Sequence, residues 1–537
     1  MIFHINATMP DHKSGIEHAE IKRFNLFKHF NVAQRLVLRE WDPNGHVNVN
    51  AAGISDDELI NMFDYFQGTA HVEAQQLTAE MLDFGVSQVS FVNEDEQSRF
   101  LVMSAQGQLV ARVNYDKLRH QQVRSVELFD GYNNLFRVDH YDSRGFRSLL
   151  QWYSPDNKIE LESWVTQDGT PVLEAYYKHT MADQTGLTKT SWHLHQVDGQ
   201  VYQFDTIEAL TTHFFDLINR DFWSIDHPNI FILDRAHLGD EGLLRLKQPA
   251  YTVMHLHNSH AGDAQEPMHS ILNNNYEYAM NALNQYDSVV SATPQQTRDV
   301  KARFVPTNAL FTIPVGIVDD ALLNAKRVPV KARTFGKVIA FARIAWEKHL
   351  DDLVRAVGIV KKEFPEVTLD LYGYADGTDN FKARRAVEAA IAEYHLEDAV
   401  SMKGYTTDID AVENDAMMYG LTSRMEGFNL AIMEAISHGL ISFTYDVNYG
   451  PNEIVQDDVN GRIVPYENYQ AMADAMLQVL RDEQLAQRYS DGAYDSAQRY
   501  SEKNVMAAWQ ALIDDAAMVW PAKLAASPAI ASQREGE

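Results

Sequence analysis

The chain has 537 residues, a formal net charge of −29, 45% hydrophobic and 23% charged residues, and no cysteine. That length exceeds one ordinary core, so two or three domains are expected. The acidic balance argues against general nucleic-acid binding, the missing thiols exclude disulfides and a thiolate metal site, and no apolar run approaches the ~20 residues of a membrane span.

The first residues, Met1-Ile-Phe-His-Ile-Asn, read as a buried strand and not a signal peptide, because no basic region precedes them and no small-residue cleavage site follows. The cytoplasm is the expected location. A polar loop, Ala7 to Gly15, leads into a helix on which Ile16, Ala19, Phe27 and Phe30 share one face, and then into a strand, Val32 to Leu38. This β-α-β opening starts a parallel sheet. Gly15 permits close backbone approach, which makes that turn a candidate contact for phosphate or acceptor.

From about residue 80 to 204 the pattern changes to short alternating segments such as Gln88–Val92, Phe100–Met103 and Leu149–Tyr153. Turn signals separate them, among them Gln106-Gly107, Asp130-Gly131, Asp168-Gly169 and Asp198-Gly199, and this density predicts an antiparallel sheet. Of its aromatics (Trp152, Tyr153, Trp164, Tyr176, Tyr177, Trp192), alternation puts half in the sheet core. Helix and strand alternation then resumes with Thr206–Ile218, Asn229–Leu233 and Tyr251–Met254. The expected organisation is therefore one α/β domain built from 1–79 and 205–325, with residues 80–204 inserted for acceptor binding or oligomerisation.

Met254-His-Leu-His257-Asn-Ser-His260 ends a strand of that domain. Without an HExxH helix or a neighbouring carboxylate, the run reads as hydrogen-bonding or structural histidine and not as a metal site. A second α/β domain is predicted over 326–520, with strands Lys337–Ala340, Thr368–Tyr372, Val400–Met402, Met417–Thr422 and Ile441–Tyr445, and a tail helix Glu502–Trp520. Residues 521–537 are expected to be a disordered tail. Lys326, Arg327, Lys331, Arg333, Lys382, Arg384 and Arg385 are candidates for a basic path toward an anionic polymer, solvated surface charge being the simpler reading of any one.

The chemistry concentrates in the second domain. Arg343 and Lys348 follow its first strand and suit a diphosphate, one as a fork and one as a point charge; a helix-start ion pair is the equal alternative. Gly373 and the pair Lys403-Gly404 end two further strands, where a base or ribose has room to approach; ordinary strand-ending glycine is the equal alternative. Asp408-Ile-Asp410 reads as a helix-start cap and not a metal motif. Glu426-Gly-Phe-Asn-Leu-Ala-Ile-Met-Glu434 sets two carboxylates around a helix start, with helix expected from Asn429 onward. The amides of Gly427, Phe428, Asn429 and Leu430 suit an anion, and the flanking carboxylates suit sugar hydroxyls. A nucleotide sugar has both.

Taken together these residues resemble the retaining GT-B enzymes of glycosyltransferase family 4, most clearly across 335–470. The segment Ser14–Arg23 and the β-rich insertion resemble a narrower group, the poly(glycerol-phosphate) α-glucosyltransferases of wall teichoic acid and the transferases that glycosylate serine-rich adhesins in accessory secretion. The resemblance implies a GT-B fold of two doubly wound Rossmann-like domains with an antiparallel insertion in the first. It implies α-retaining hexosyl transfer, glucose above all, from a UDP-sugar to poly(glycerol-phosphate) teichoic acid. O-glycosylation of an adhesin and a non-catalytic partner subunit are the alternatives, and a sugar-nucleotide 2-epimerase leaves the insertion unexplained. The catalytic set it implies is His257, Arg343, Lys348 and Glu426. His257, or His260 in its place, would contact the donor sugar, Glu426 its hydroxyls, Glu434 the ribose, and Arg343 with Lys348 the diphosphate. No metal or other cofactor is expected. The expected partners are the UDP-sugar, a glycopolymer or glycoprotein acceptor, and a second subunit through the insertion, with peripheral membrane association open.

Overall fold

The computed structural model describes residues 1–181, 185–195 and 199–527. They form three sheets. A seven-stranded sheet runs in the order Ala309–Thr312, Ser288–Ser291, Tyr251–Leu256, Ile230–Leu233, Ile2–Asn6, Gln34–Leu38, Leu59–Asn61. A ten-stranded sheet runs from Val89–Glu94 to Val201–Phe204, each strand beside its sequence neighbour. A six-stranded sheet has the order Val400–Gly404, Thr368–Tyr372, Lys337–Phe341, Met418–Leu421, Ile441–Tyr445, Gly461–Val464.

The chain divides into two compact units, one of residues 1–13, 33–252 and 520–537, the other of 14–32 and 253–519. In the first, Ile2–Asn6 pairs in parallel with Ile230–Leu233 and with Gln34–Leu38. The insertion is antiparallel throughout, as the turn chemistry predicts. Alternation buries Val102, Ala111, Val113, Tyr115, Val123 and Val126 on one face near Phe100. Farther along, Trp164 stacks on Trp192 at 5.4 Å beside Phe63. Trp152 lies exposed and the three tyrosines are half-buried, so the expected even split of the aromatics leans toward the surface. Asp198 lies outside the described residues.

In the second unit, every pairing of the six-stranded sheet is parallel. Its core gathers Val338, Ile339, Leu353, Leu369, Ile432 and Phe443. The helix Gly15–His29 starts with Ser14, whose hydroxyl and amide both meet Glu17 Oε2 in a capping box. Its buried face is Ala19, Phe24, Leu26 and Phe27, while Phe30 is the C-cap and largely exposed. The expected Phe30 contact fails because the helix ends one residue earlier. The tail helix runs Glu502–Ala526 with Pro521 inside, six residues into the segment expected to be a tail. Residues 528–537 lie outside the described residues. No helix among the described residues is long and apolar enough to cross a membrane.

Candidate donor-binding site

The site lies in the second unit, on the loops that leave the parallel strands. The strand Met418–Leu421 delivers Glu426, and the helix Leu430–Ser437 carries Glu434 on its second turn. Helix begins at Leu430, one residue later than expected. Asn429 is its N-cap, and its side chain accepts the Ile432 amide at 2.9 Å. The amides of Gly427, Phe428 and Asn429 have no acceptor among the described residues, and the Leu430 amide has no partner within its own helix. Gly427 and Phe428 are buried and Asn429 and Leu430 half-buried, so these unpaired donors gather at the helix's positive end.

Glu426 is nearly buried, its side chain 9% exposed, and Lys348 donates to its Oε1 at 2.7 Å. A buried carboxylate of this kind needs its cation. The loop is locked from the other side by Tyr449, whose amide donates to the Glu426 carbonyl at 3.0 Å and whose hydroxyl donates to Asp299 at 2.8 Å. Gly427 lies directly on the chain at His257: a Cβ there would sit 2.1 Å from the His257 carbonyl oxygen. The structure thus brings Glu426, Gly427, Lys348 and His257 together.

His257 is half-buried, and its amide donates to the Tyr276 hydroxyl at 3.1 Å. His260 has no exposed surface; it stacks on Tyr449 and meets the edge of Phe304. Burial, reinforced by Arg303, pushes its pKa down to about 4, so the ring is neutral and structural. Of the two histidines, only His257 has surface to offer a ligand.

For Arg343 the sequence leaves a diphosphate fork and a helix-start ion pair equally open. Its guanidinium is 43% exposed and bridges Glu347 at 2.6 Å and Asp376 at 2.9 Å, the helix-start ion pair considered above. Gly373, at φ 142°, presses on this segment, where a Cβ would meet the Ala342 carbonyl oxygen at 2.1 Å. The Gly373 amide donates to the Gly404 carbonyl at 2.9 Å, which joins the two strand ends. Lys403 turns to Asp370 at 3.4 Å, and Gly15 stands exposed at the first turn of its helix.

Two expectations are corrected. Arg333 belongs to no basic path: it is buried and donates to the carbonyls of Glu413, Ala416 and His438. Asp408 stands at the N-cap of Ile409–Asp415 without a side-chain capping bond. His349, Asp351 and Asp352 offer ligand atoms within 4.8 Å of one another, but Arg355 already donates to both aspartates.

Sequence reasoning missed two features behind the donor helix. Lys22, from the first helix of the chain, donates to Glu434 Oε1 at 2.7 Å. His438, the C-cap of Leu430–Ser437, has Nδ1 2.6 Å from the fully buried Glu413 carboxylate. Burial alone would lower the His438 pKa, but the Glu413 carboxylate outweighs it and raises it to about 9. Burial raises Glu413 as well, with the imidazole in partial opposition. Both groups hold more protons folded than unfolded, so stability falls as pH rises. The His438 contribution is full below its unfolded value of 6.5 and is lost as pH passes through about 9. Thermal unfolding of a Glu413→Gln variant should therefore show a flatter decline of Tm between these limits than the parent; an unchanged slope would refute the linkage.

The family model described as Glycosyl transferases group 1 matches residues 324–496, and one described as GtfB middle domain matches 92–188. The chain is 26% identical over 396 residues to the poly(glycerol-phosphate) alpha-glucosyltransferase of Bacillus subtilis (strain 168), a match spanning 72% of this chain and 55% of that protein. It is 23% identical over 539 residues to the UDP-N-acetylglucosamine–peptide N-acetylglucosaminyltransferase GtfA subunit of Streptococcus pneumoniae serotype 4 (strain ATCC BAA-334 / TIGR4), spanning 96% of this chain and 99% of that one. The crystal structure of pneumococcal O-GlcNAc transferase GtfA with UDP and GlcNAc superposes at a TM-score of 0.79 with 22% identity, over 96% of this chain and 98% of that one. That likeness establishes the fold as GT-B: two Rossmann-like domains and an antiparallel insertion.

Proposed function

Residues 324–496 are a glycosyl transferases group 1 domain, and from that premise we propose that this UDP-sugar glycosyltransferase moves a hexose, glucose first, to poly(glycerol-phosphate) with retention of configuration. The observation that carries the reading is the Lys348–Glu426 pair set against the unpaired amides of Gly427 to Leu430 and beside His257. It joins an anion site to a hydroxyl acceptor, the two halves of a nucleotide sugar.

The roles follow from donor capacity. A lysine ammonium has three donors, so Lys348 keeps Glu426 while turning to a phosphate oxygen. Arg343 retains donors beyond its two carboxylate contacts and meets the second phosphate. The Gly427, Phe428, Asn429 and Leu430 amides complete the proposed cradle, and Gly15, Gly373, Lys403 and Gly404 are proposed as further donor contacts. In this reading the helix-start amides and the Lys348 ammonium are the donors that stabilise the leaving diphosphate, and no metal or other cofactor is assigned a role. Glu434 takes the ribose hydroxyls and Glu426 those of the sugar. His257 stands at the sugar, while the departing phosphate oxygen accepts the proton of the acceptor hydroxyl on the same face.

For the acceptor, a groove of about 400 Å³ between the insertion and the Pro43-Asn44 loop is lined by Asn114, Asp116, Arg119, Arg124, His140 and Tyr141; Asp116 is paired with Arg119 at 3.7 Å, which leaves Arg124 as the cation in excess. That favours an anionic polymer. A serine-rich peptide, taken together with a partner subunit, is the second reading, favoured by the nearly full-length match to the GtfA subunit. The test is a donor-by-acceptor matrix, UDP-glucose and UDP-N-acetylglucosamine against poly(glycerol-phosphate) and a serine-rich peptide. Glucose transfer to the polymer alone is the expected result. Transfer only to peptide would replace the acceptor, and UDP release with neither would remove the transferase reading.

A further inference from the structure

The contact that holds Glu434 comes from a segment far away in the chain. Lys22 Nζ lies 2.7 Å from Glu434 Oε1 and donates more weakly to the Ile317 carbonyl at 3.4 Å. The two carboxylates of the donor site are therefore each held by a separate lysine at the same distance, Glu426 by Lys348 and Glu434 by Lys22. The Lys22–Glu434 side chains are 31% and 28% exposed, and pairs this accessible add little to folding stability. The helix that presents Lys22 is nonetheless well anchored. Its start is fixed by the Ser14–Glu17 capping box, and Phe24 and Phe27 are buried on its inner face, Phe27 edge-on against Trp509.

We infer that Lys22 is a positioning residue for the nucleotide: it fixes the Glu434 carboxylate for the ribose hydroxyls and neutralises it toward the diphosphate. This rests on the reading of Glu434 as the ribose ligand. A bare carboxylate on the first helix after an anion-binding loop repels the phosphates of the ligand it is meant to recognise. With Oε1 committed to Lys22, the second oxygen remains for a hydroxyl, and the local charge is balanced before the ligand arrives. The ammonium also locks the rotamer of a partly exposed glutamate, so less ordering is left for the binding step.

The experiment is calorimetric binding of UDP and of uridine to the full chain and to Lys22→Ala, Lys22→Gln, Lys22→Arg and Glu434→Gln. Lys22→Gln keeps the stem and serves should the alanine variant fold poorly. Loss of the ammonium should weaken UDP by about tenfold, the scale of one hydrogen bond to a charged group. Uridine, lacking phosphates, should lose less, Lys22→Arg should recover most of the affinity, and KM for acceptor should not move. If Glu434→Gln binds UDP normally, the ribose reading itself fails. If Glu434→Gln weakens UDP while Lys22→Ala and Lys22→Gln do not, only the Lys22 inference falls. Equal losses for UDP and uridine would overturn the charge-neutralising role.

Discussion

Lys348→Ala should lower sugar transfer by about two to three orders of magnitude, the cost of removing one preorganised donor from a charged transition state. Two effects coincide at this residue. On the proposed reading the departing diphosphate loses the Lys348 ammonium, and Glu426, nearly buried, loses the cation that permits its charge. Stranding a buried carboxylate costs about 3–5 kcal/mol in the worst case, and the partial exposure of Lys348 reduces that. The variant should therefore unfold at lower temperature as well as turn over slowly. Combining it with Glu426→Gln separates the effects: the double variant should regain stability, because no unpaired charge remains, and should stay inactive. Transfer by Lys348→Ala within tenfold of the parent, measured as UDP release under saturating acceptor, would refute the role.

Gly427→Ala should be nearly as damaging through packing alone. The added Cβ meets the His257 carbonyl oxygen at 2.1 Å and Asn258 Cα at 2.7 Å, and both are backbone atoms. Neither moves without moving the segment that carries His257. The overpacking costs about 1–3 kcal/mol, and a displacement near 1 Å at a reacting centre costs about a hundredfold in rate. Gly131→Ala, on an insertion turn where a Cβ meets nothing within 4 Å, is the matched control and should leave both quantities unchanged. A Gly427→Ala enzyme with parental turnover would mean that the His257 loop yields freely.

The contrast between Glu426 and Glu434 shows what a sequence makes legible. Their spacing, the Gly-Phe turn and the following helix are local, and local spacing translates directly into a loop leaving a strand and a capped helix. Gly373 and Gly404 are legible for a similar reason, each lying at the end of a strand. Lys22 is different: 412 positions separate it from Glu434, and nothing in its surroundings distinguishes it from other helical lysines. Arg333 misleads for the opposite reason, since it sits among basic neighbours while its guanidinium feeds buried carbonyls. Phe30 is misjudged by one residue of helix length, which turns a core position outward. Pairing across distance, burial of charge and helix ends are tertiary outcomes, and periodicity carries none of them. The insertion, by contrast, is plain in the sequence because each of its strands pairs with the next.

That neighbour-to-neighbour pairing sets an order of assembly during synthesis. Ile2 finds one of its partners, Ile230, only after the whole of the insertion has been made, whereas Val89–Glu94 meets Arg99–Ser104 at once. Hairpins close quickly and long loops slowly. A nascent chain should therefore complete the meander while its first strand still waits with an open edge, a state prone to association. The Gln34–Leu38 strand, made early and parallel to it, covers one side of that edge in the interval and leaves the other to the returning chain.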